Sequence, residues 1–151
     1  ITSNLFDAVR EGKLEQDMYK EVLKNGMVTK DFLDKKSKSS LKKLYGPAVK
    51  CDKYAANSWV TRSHYYMNFY LYSYAICISV ATNVAKKILE GDKAMLDNYY
   101  KFMKLGSDKW PSEAFAVLGV DLESPEVYQN AIDYFNDLID KYEEVSGLEV
   151  K

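Results

Sequence analysis

His64 is the only histidine of this 151-residue chain, and it lies at the start of a segment rich in tyrosine. Five of the 13 tyrosines fall in the ten residues from Tyr65 to Tyr74. A hydrophobic core needs apolar surface, whereas each buried phenol also needs a hydrogen-bond partner for its hydroxyl. A row of phenols beside one imidazole therefore predicts a set of hydrogen-bond donors around a polar ligand.

A structural role for the same residues stays open, because a lone histidine and a set of tyrosines also occur in cores and interfaces. On a helix, Tyr66, Tyr70 and Tyr74 would lie on one face at i, i+4 spacing, and Tyr72 would lie on another. The two faces point in different directions. Some of these side chains must therefore pack against the protein while others face a site.

Helical signals continue along the whole chain, and no alternating run of β-branched residues bounded by turns predicts a strand. The predicted helices cover residues 3–25, 29–45, 68–89, 92–106, 111–119 and 124–145, with an irregular segment at 47–67. Thr29, Asn68, Asp92 and Ser124 are of residue types that cap helix N-termini. We expect an all-α fold in which residues 1–151 form a single helical domain, a bundle.

The composition is that of an ordinary globular protein, with 47% hydrophobic residues, 28% charged residues and a net charge of −1. A nearly neutral chain has no electrostatic attraction to nucleic acid or to an anionic membrane, so neither partner is expected. Residues 65–85 are the most apolar stretch, but their tyrosines and asparagines argue against a helix that faces lipid. We expect a buried helix there, whose small residues are Ala75, Ser79, Ala81 and Ala85.

The two cysteines indicate the redox compartment of the protein, and the first residues indicate whether residue 1 begins the natural protein. Cys51 and Cys77 lie in no spacing typical of a metal site or a disulfide pair, and are predicted to be buried free thiols in a reducing compartment. The chain begins at Ile1 with neither an initiator methionine nor the pattern of a signal peptide. We therefore expect that residue 1 does not begin the natural protein.

Common catalytic motifs are absent from the sequence. With one histidine, the chain holds no HExxH zinc site, and it contains neither a P-loop nor a GxGxxG motif. A complete active site is therefore not expected within these residues.

Several motifs follow one another in a specific order. Trp59 precedes His64 and the run Phe69-Tyr70-Leu71-Tyr72-Ser73-Tyr74-Ala75, and Leu118-Gly119-Val120-Asp121 and Ser124-Pro125-Glu126 come later. Over residues 10–147 this order resembles the C-terminal region of the oligoendopeptidase F family, cytosolic zinc peptidases related to thimet oligopeptidase. The resemblance implies that the chain is the C-terminal part of a larger, mostly helical metallopeptidase catalytic domain.

The zinc ion of that family is bound by an HExxH helix and a further glutamate, which would lie upstream of Ile1. The resemblance therefore implies zinc in the full-length enzyme, no zinc bound by this chain, and no peptidase activity of the chain alone. It implies two partners, an oligopeptide substrate and the upstream zinc-binding part of the same protein. It also implies a cytoplasmic location.

Alignment with the tyrosine run of thimet-type enzymes implies roles for individual residues. It places Tyr72 at the transition-state tyrosine and His64 at the substrate-contacting histidine, which makes both catalytic candidates. Tyr66 and Tyr70 become substrate-binding candidates, and Tyr74 becomes a packing residue. Neutral O–H and N–H donors of this kind stabilise the negative charge that develops on a scissile carbonyl oxygen.

Two other classes of function are weighed against a peptidase. A non-catalytic helical module would use the tyrosines to hold a peptide or a partner helix, and its gene would carry no HExxH segment upstream. A platform for single-stranded nucleic acid would also use aromatic stacking, but this chain lacks the positive groove that such platforms need.

Overall fold

The computed structural model describes residues 1–147, apart from the side chain of Lys53. The regular elements over that range are all helical, which confirms the all-α class. A π-helical turn, Ser3–Asp7, leads into α1 (Ala8–Asn25), followed by α2 (Lys30–Tyr45), α3 (Lys53–Ala56), α4 (Leu71–Leu89), α5 (Lys93–Met103), α6 (Pro111–Val117) and α7 (Pro125–Ser146). Short 3-10 turns at Gly46–Ala48, Ser58–Thr61 and Ser63–Tyr66 lie in or at the edge of the segment 47–67 that the sequence predicts to be irregular. The same segment holds the one-turn helix α3, which the sequence did not predict.

Backbone contacts divide the chain into two compact units, Ile1–Ala75 and Ile76–Lys151. The single domain expected for residues 1–151 stays a prediction. In the first unit, α1 packs against the π-helical turn and against α2, and α2 packs against α3 and the turn Ser58–Thr61. These contacts place α1 and the segment between α3 and α4 on the same small scaffold.

The second unit has its own hydrophobic core, in which α5 also contacts α6. Each fully buried aliphatic or Met side chain stabilises such a core by about 1.5–3 kcal/mol relative to exposure. The buried members of the core are Val80, Val84, Met95, Leu118 and Val127. Over residues 1–147, none of the helices combines the length and the apolar character that crossing a membrane requires.

Three of the four N-caps that the sequence predicts are confirmed. The Thr29 hydroxyl accepts a hydrogen bond from the Phe32 N–H at 3.2 Å, and the Asp92 carboxylate accepts one from Met95 at 2.9 Å. The Ser124 hydroxyl accepts one from the Glu126 N–H. Each bond satisfies a backbone donor in the first turn that has no partner within its helix.

The predicted cap at Asn68 is wrong, because α4 begins at Leu71. Asn68 and Phe69 both have left-handed backbone conformations, with φ of 44° and 60°. An N-cap residue needs extended backbone geometry instead. The Asn68 side chain accepts a hydrogen bond from the Tyr19 hydroxyl at 2.9 Å, which is a contact between α1 and the segment before α4.

Four side chains that the sequence predicts to be buried are not fully buried, namely Cys51, Cys77, Ala81 and Ala85. The last three are exposed and follow one another at i, i+4 spacing along a single face of α4. The predicted burial of Ala75 and Ser79 is confirmed. An apolar stretch of this length can thus form a helix that keeps one face exposed.

The turn Ser58–Thr61 is hydrogen-bonded to α2 through the carboxylate of Asp34. The Trp59 indole N–H donates to Asp34 Oδ1 at 2.9 Å, and Lys30 pairs with the same carboxylate. The Lys30 ammonium, and then the Trp59 N–H, hold the pKa of Asp34 below its usual value. Because the folded state lowers this pKa, the carboxylate stabilises the fold at neutral pH. That contribution is lost as the pH falls through the lowered pKa.

We expect Asp34→Ala to release Trp59 and to shift its fluorescence emission to longer wavelength at pH 7. The measurement uses a Trp110→Phe background, in which Trp59 is the only tryptophan. The variant and its parent should differ in unfolding midpoint at pH 7, and this difference should shrink in acid. Asp31→Ala, an exposed change on the same helix, is the control. Equal emission spectra for Asp34→Ala and Asp31→Ala would contradict the expectation.

Candidate functional site

The imidazole of His64 lies in the 3-10 turn before α4 and is half-buried between two phenols. Its Nε2 atom is 3.1 Å from the hydroxyl of Tyr74, within hydrogen-bonding distance. The Tyr70 ring stacks near the imidazole with centroids 5.9 Å apart, and the Tyr74 ring meets it edge-on at 5.6 Å. The buried Nδ1 atom has no hydrogen-bond partner within residues 1–147.

The Tyr74 hydroxyl keeps its proton at neutral pH. A hydrogen bond with the Tyr70 hydroxyl raises the pKa of Tyr74, and burial raises it further. The ordinary pKa of a phenol is already about 10. Tyr74 is therefore a neutral O–H donor under physiological conditions.

A cavity of about 220 Å³ adjoins the cluster within the first unit. Its lining includes His64 and Tyr74 on one side, and Arg62, Asp7 and Glu11 elsewhere. Pockets for drug-sized molecules are larger, roughly 300–1,000 Å³. This cavity therefore suits a small polar group, such as part of a peptide, more than a whole cofactor.

Tyr72 faces a different neighbour from the two tyrosines beside His64. Its ring lies over Gly12 of α1, where a Cβ atom would come within 3.0 Å of the ring atoms Cε1 and Cζ. Gly12 therefore leaves room for the ring, and any larger residue there would need Tyr72 to move. Partial burial is the main cause that raises the pKa of the Tyr72 hydroxyl, so this group is also neutral at physiological pH.

The structure brings together only part of the predicted site. His64 and Tyr70 form one cluster with Tyr74, which the sequence assigns to packing. Tyr72 lies against α1, and Tyr66 is 94% exposed. The catalytic roles of His64 and Tyr72, and the substrate-binding roles of Tyr66 and Tyr70, stay predictions.

Glu11 of α1 is a residue of this region that the sequence reasoning missed. Its side chain is only 1% exposed and accepts hydrogen bonds from the Arg10 guanidinium and the Tyr65 hydroxyl. The Arg62 guanidinium lies 3.8 Å away. Burial, and then the bond to Glu11, raise the pKa of Tyr65. Glu11 thus connects α1 to both ends of the turn that carries His64.

Glu15 and Tyr19 continue the same face of α1 at i, i+4 spacing and were missed as well. Glu15 is 1% exposed, and its Oε1 atom accepts a hydrogen bond from the Phe69 backbone N–H at 2.7 Å. The Tyr19 ring stacks on the Phe69 ring with centroids 4.7 Å apart. The available signal was the Glu-x-x-x-Glu-x-x-x-Tyr spacing beside Gly12, but carboxylates at such spacing usually lie on solvated faces.

The placement of the His, Cys, Asp and Glu side chains decides whether these residues could bind a metal ion. Within residues 1–147, no three His, Cys, Asp or Glu side chains are placed so that they could hold a metal ion together. The described residues therefore do not fit the zinc ion that the resemblance implies for the full-length enzyme.

Comparisons with known proteins agree on one group of enzymes. The profile of peptidase family M3 matches residues 2–134. An oligoendopeptidase F homolog of Borreliella burgdorferi is 31% identical over 135 residues, which cover 89% of this chain and 23% of that protein. The oligopeptidase PepF of Bacillus subtilis is 35% identical over 104 residues, which cover 69% of this chain and 16% of the relative.

A solved structure shares the fold. The crystal structure of oligoendopeptidase-F from Enterococcus faecium aligns with a TM-score of 0.91 and 28% identity, and the match covers 98% of this chain and 28% of that one. The chain thus spans between 16% and 28% of the length of these three proteins.

Proposed function

The chain belongs to peptidase family M3 and resembles the oligoendopeptidases F, and we propose that it is the substrate-binding part of a zinc metallopeptidase that hydrolyses oligopeptides. In this proposal the zinc ion is bound by an upstream part of the same protein, and the enzyme acts in the cytoplasm. The chain contributes the tyrosine and histidine side chains that contact the peptide.

The chemistry of amide hydrolysis explains why such donors are useful. When a nucleophile adds to the scissile carbonyl, negative charge develops on the carbonyl oxygen. A neutral O–H or N–H group aimed at that oxygen stabilises the transition state more than the substrate. Tyr72 and His64 are proposed as these donors, with Tyr66 and Tyr70 holding the peptide.

The cluster beside the cavity is the observation that carries the proposal. An imidazole and two phenols meet within 6 Å of one another, next to a space of about 220 Å³. Burial raises the pKa of Tyr72, and a hydrogen bond with Tyr70 raises the pKa of Tyr74, so both hydroxyls are protonated donors at neutral pH. A cluster that served only for packing would have no need of the Tyr74 hydroxyl at the edge of a cavity.

The test is cleavage of a quenched fluorescent oligopeptide by the full-length protein. We expect cleavage that a chelator abolishes and that added zinc restores, and no cleavage by the 151-residue chain alone. Cleavage by the purified chain would contradict this division of roles. Binding of the peptide by the full-length protein without any cleavage would favour the non-catalytic binding module.

A further inference from the structure

We propose that Glu15 is a positioning residue whose carboxylate holds the left-handed turn at Asn68 and Phe69, and that this turn sets Tyr70 against His64. The inference rests on the proposed function, because it assigns a purpose to the cluster beside the cavity. It concerns a residue that lies in α1 and touches neither His64 nor Tyr70 through any described contact.

The turn needs an external partner because its backbone is unusual. Phe69 has a φ of 60°, a conformation that residues with bulky side chains rarely adopt. Asn68, with a φ of 44°, tolerates the left-handed region better. Two such residues in succession interrupt the helical backbone directly before Tyr70 and redirect the chain into α4.

Glu15 supplies that partner from 54 residues away in the sequence. Its Oε1 atom accepts the Phe69 N–H at 2.7 Å, which is a short hydrogen bond. The carboxylate is 1% exposed, and its Oε2 atom has no hydrogen-bond partner among the described residues. A buried carboxylate with a single protein bond is costly for a fold. We therefore assign the role of this carboxylate to what its bond with the Phe69 N–H holds in place.

Tyr19, one helical turn further along α1, completes the attachment. Its hydroxyl donates to Asn68 Oδ1 at 2.9 Å, and its ring stacks on the Phe69 ring. Glu15 contacts the backbone of Phe69, and Tyr19 contacts the side chains of Asn68 and Phe69. Together the two α1 residues therefore hold both left-handed residues. The next residue, Tyr70, stacks on His64 with ring centroids 5.9 Å apart. A shift of the turn would move that ring directly.

The test compares Glu15→Ala, Glu15→Gln and Glu21→Ala in the full-length protein. Glu21 is the matched control, because it lies in the same helix and its described hydrogen bond comes from Asn25 of that helix. We expect Glu15→Ala to raise amide hydrogen exchange in a peptide that covers residues 62–70 by roughly tenfold or more. We also expect it to lower kcat/KM about a hundredfold, the loss expected from a misplacement near 1 Å.

Glu15→Gln keeps an acceptor oxygen of the same shape and should stay close to wild type in both measurements. Glu21→Ala should also match wild type. The proposal is overturned if Glu15→Ala behaves like Glu21→Ala, if Glu15→Gln loses as much activity as Glu15→Ala, or if exchange rises while kcat/KM stays unchanged. If the wild-type protein cleaves no peptide, the proposed function fails. The exchange of residues 62–70 then decides by itself whether Glu15 holds the segment.

Discussion

Replacing Tyr72 by phenylalanine is expected to lower kcat of the full-length peptidase roughly a hundred- to a thousandfold, with little change in KM. The reason is the loss of one neutral hydroxyl that stabilises the developing oxyanion. Phenylalanine keeps the ring that lies over Gly12, so the free energy of unfolding should barely change. Steady-state kinetics on a fluorogenic peptide, together with a thermal unfolding curve, measure both quantities.

Tyr74→Phe is the matched control, because it also removes one phenolic hydroxyl from α4. The alignment assigns Tyr74 to packing, so its loss should be mild, although the structure places its hydroxyl 3.1 Å from His64 Nε2. If Tyr74→Phe is inactive while Tyr72→Phe turns over normally, the catalytic hydroxyl belongs to the His64 cluster and the assignment of Tyr72 is wrong. If both variants are close to wild type, the tyrosines are structural and the oxyanion proposal fails.

Glu11→Ala should destabilise the 151-residue chain by about 3–5 kcal/mol, the range found when one partner of a buried ion pair is removed. The side chain of Arg10 is 8% exposed and would lose the carboxylate with which it pairs. The hydroxyl of Tyr65 would lose its acceptor as well. Since the free energy of unfolding of small proteins is only about 5–15 kcal/mol, this change should remove a large fraction of the stability of the chain. Urea unfolding followed by circular dichroism provides the measurement.

Asp17→Ala is the comparison for Glu11→Ala on the same helix. Asp17 pairs with Lys13 and Lys36, whose side chains are 57% and 45% exposed. Pairs with such exposed lysines contribute about 0–1 kcal/mol, so this variant should remain close to wild type. Equal unfolding midpoints for the two variants would contradict the expectation, because removing the buried Glu11 carboxylate would then cost no more free energy of unfolding than removing Asp17.

The helical class and most helix ends followed from the sequence because they depend on neighbours within one turn. Thr29 caps α2 through the N–H three residues later, and Asp92 and Ser124 act over three and two residues. A cap of this kind is determined by residue type and local spacing, whatever the rest of the fold does. The order of motifs around Trp59 and the tyrosine run was equally visible, and it indicated the peptidase family that the comparisons support.

Asn68 shows where local reasoning fails. Its residue type suits an N-cap, but it equally suits the left-handed conformation that the structure shows. The choice depends on the Tyr19 hydroxyl and on the Glu15 bond to the next residue, and these partners are 49 and 54 residues away in the chain. No pattern within one helical turn contains that information.

Tertiary packing likewise decided which of the tyrosines lie near His64. Sequence spacing indicated that Tyr72 and Tyr74 face different directions, without indicating which direction holds the imidazole. Gly12 of α1 accepts the ring of Tyr72, and this contact leaves Tyr70 and Tyr74 beside His64. Residue types and short spacings thus determined the helices, the caps and the family of this protein. Contacts between distant segments decided which charged groups are buried and which hydrogen-bond donors lie close together. The reason is that burial depends on what packs against a side chain.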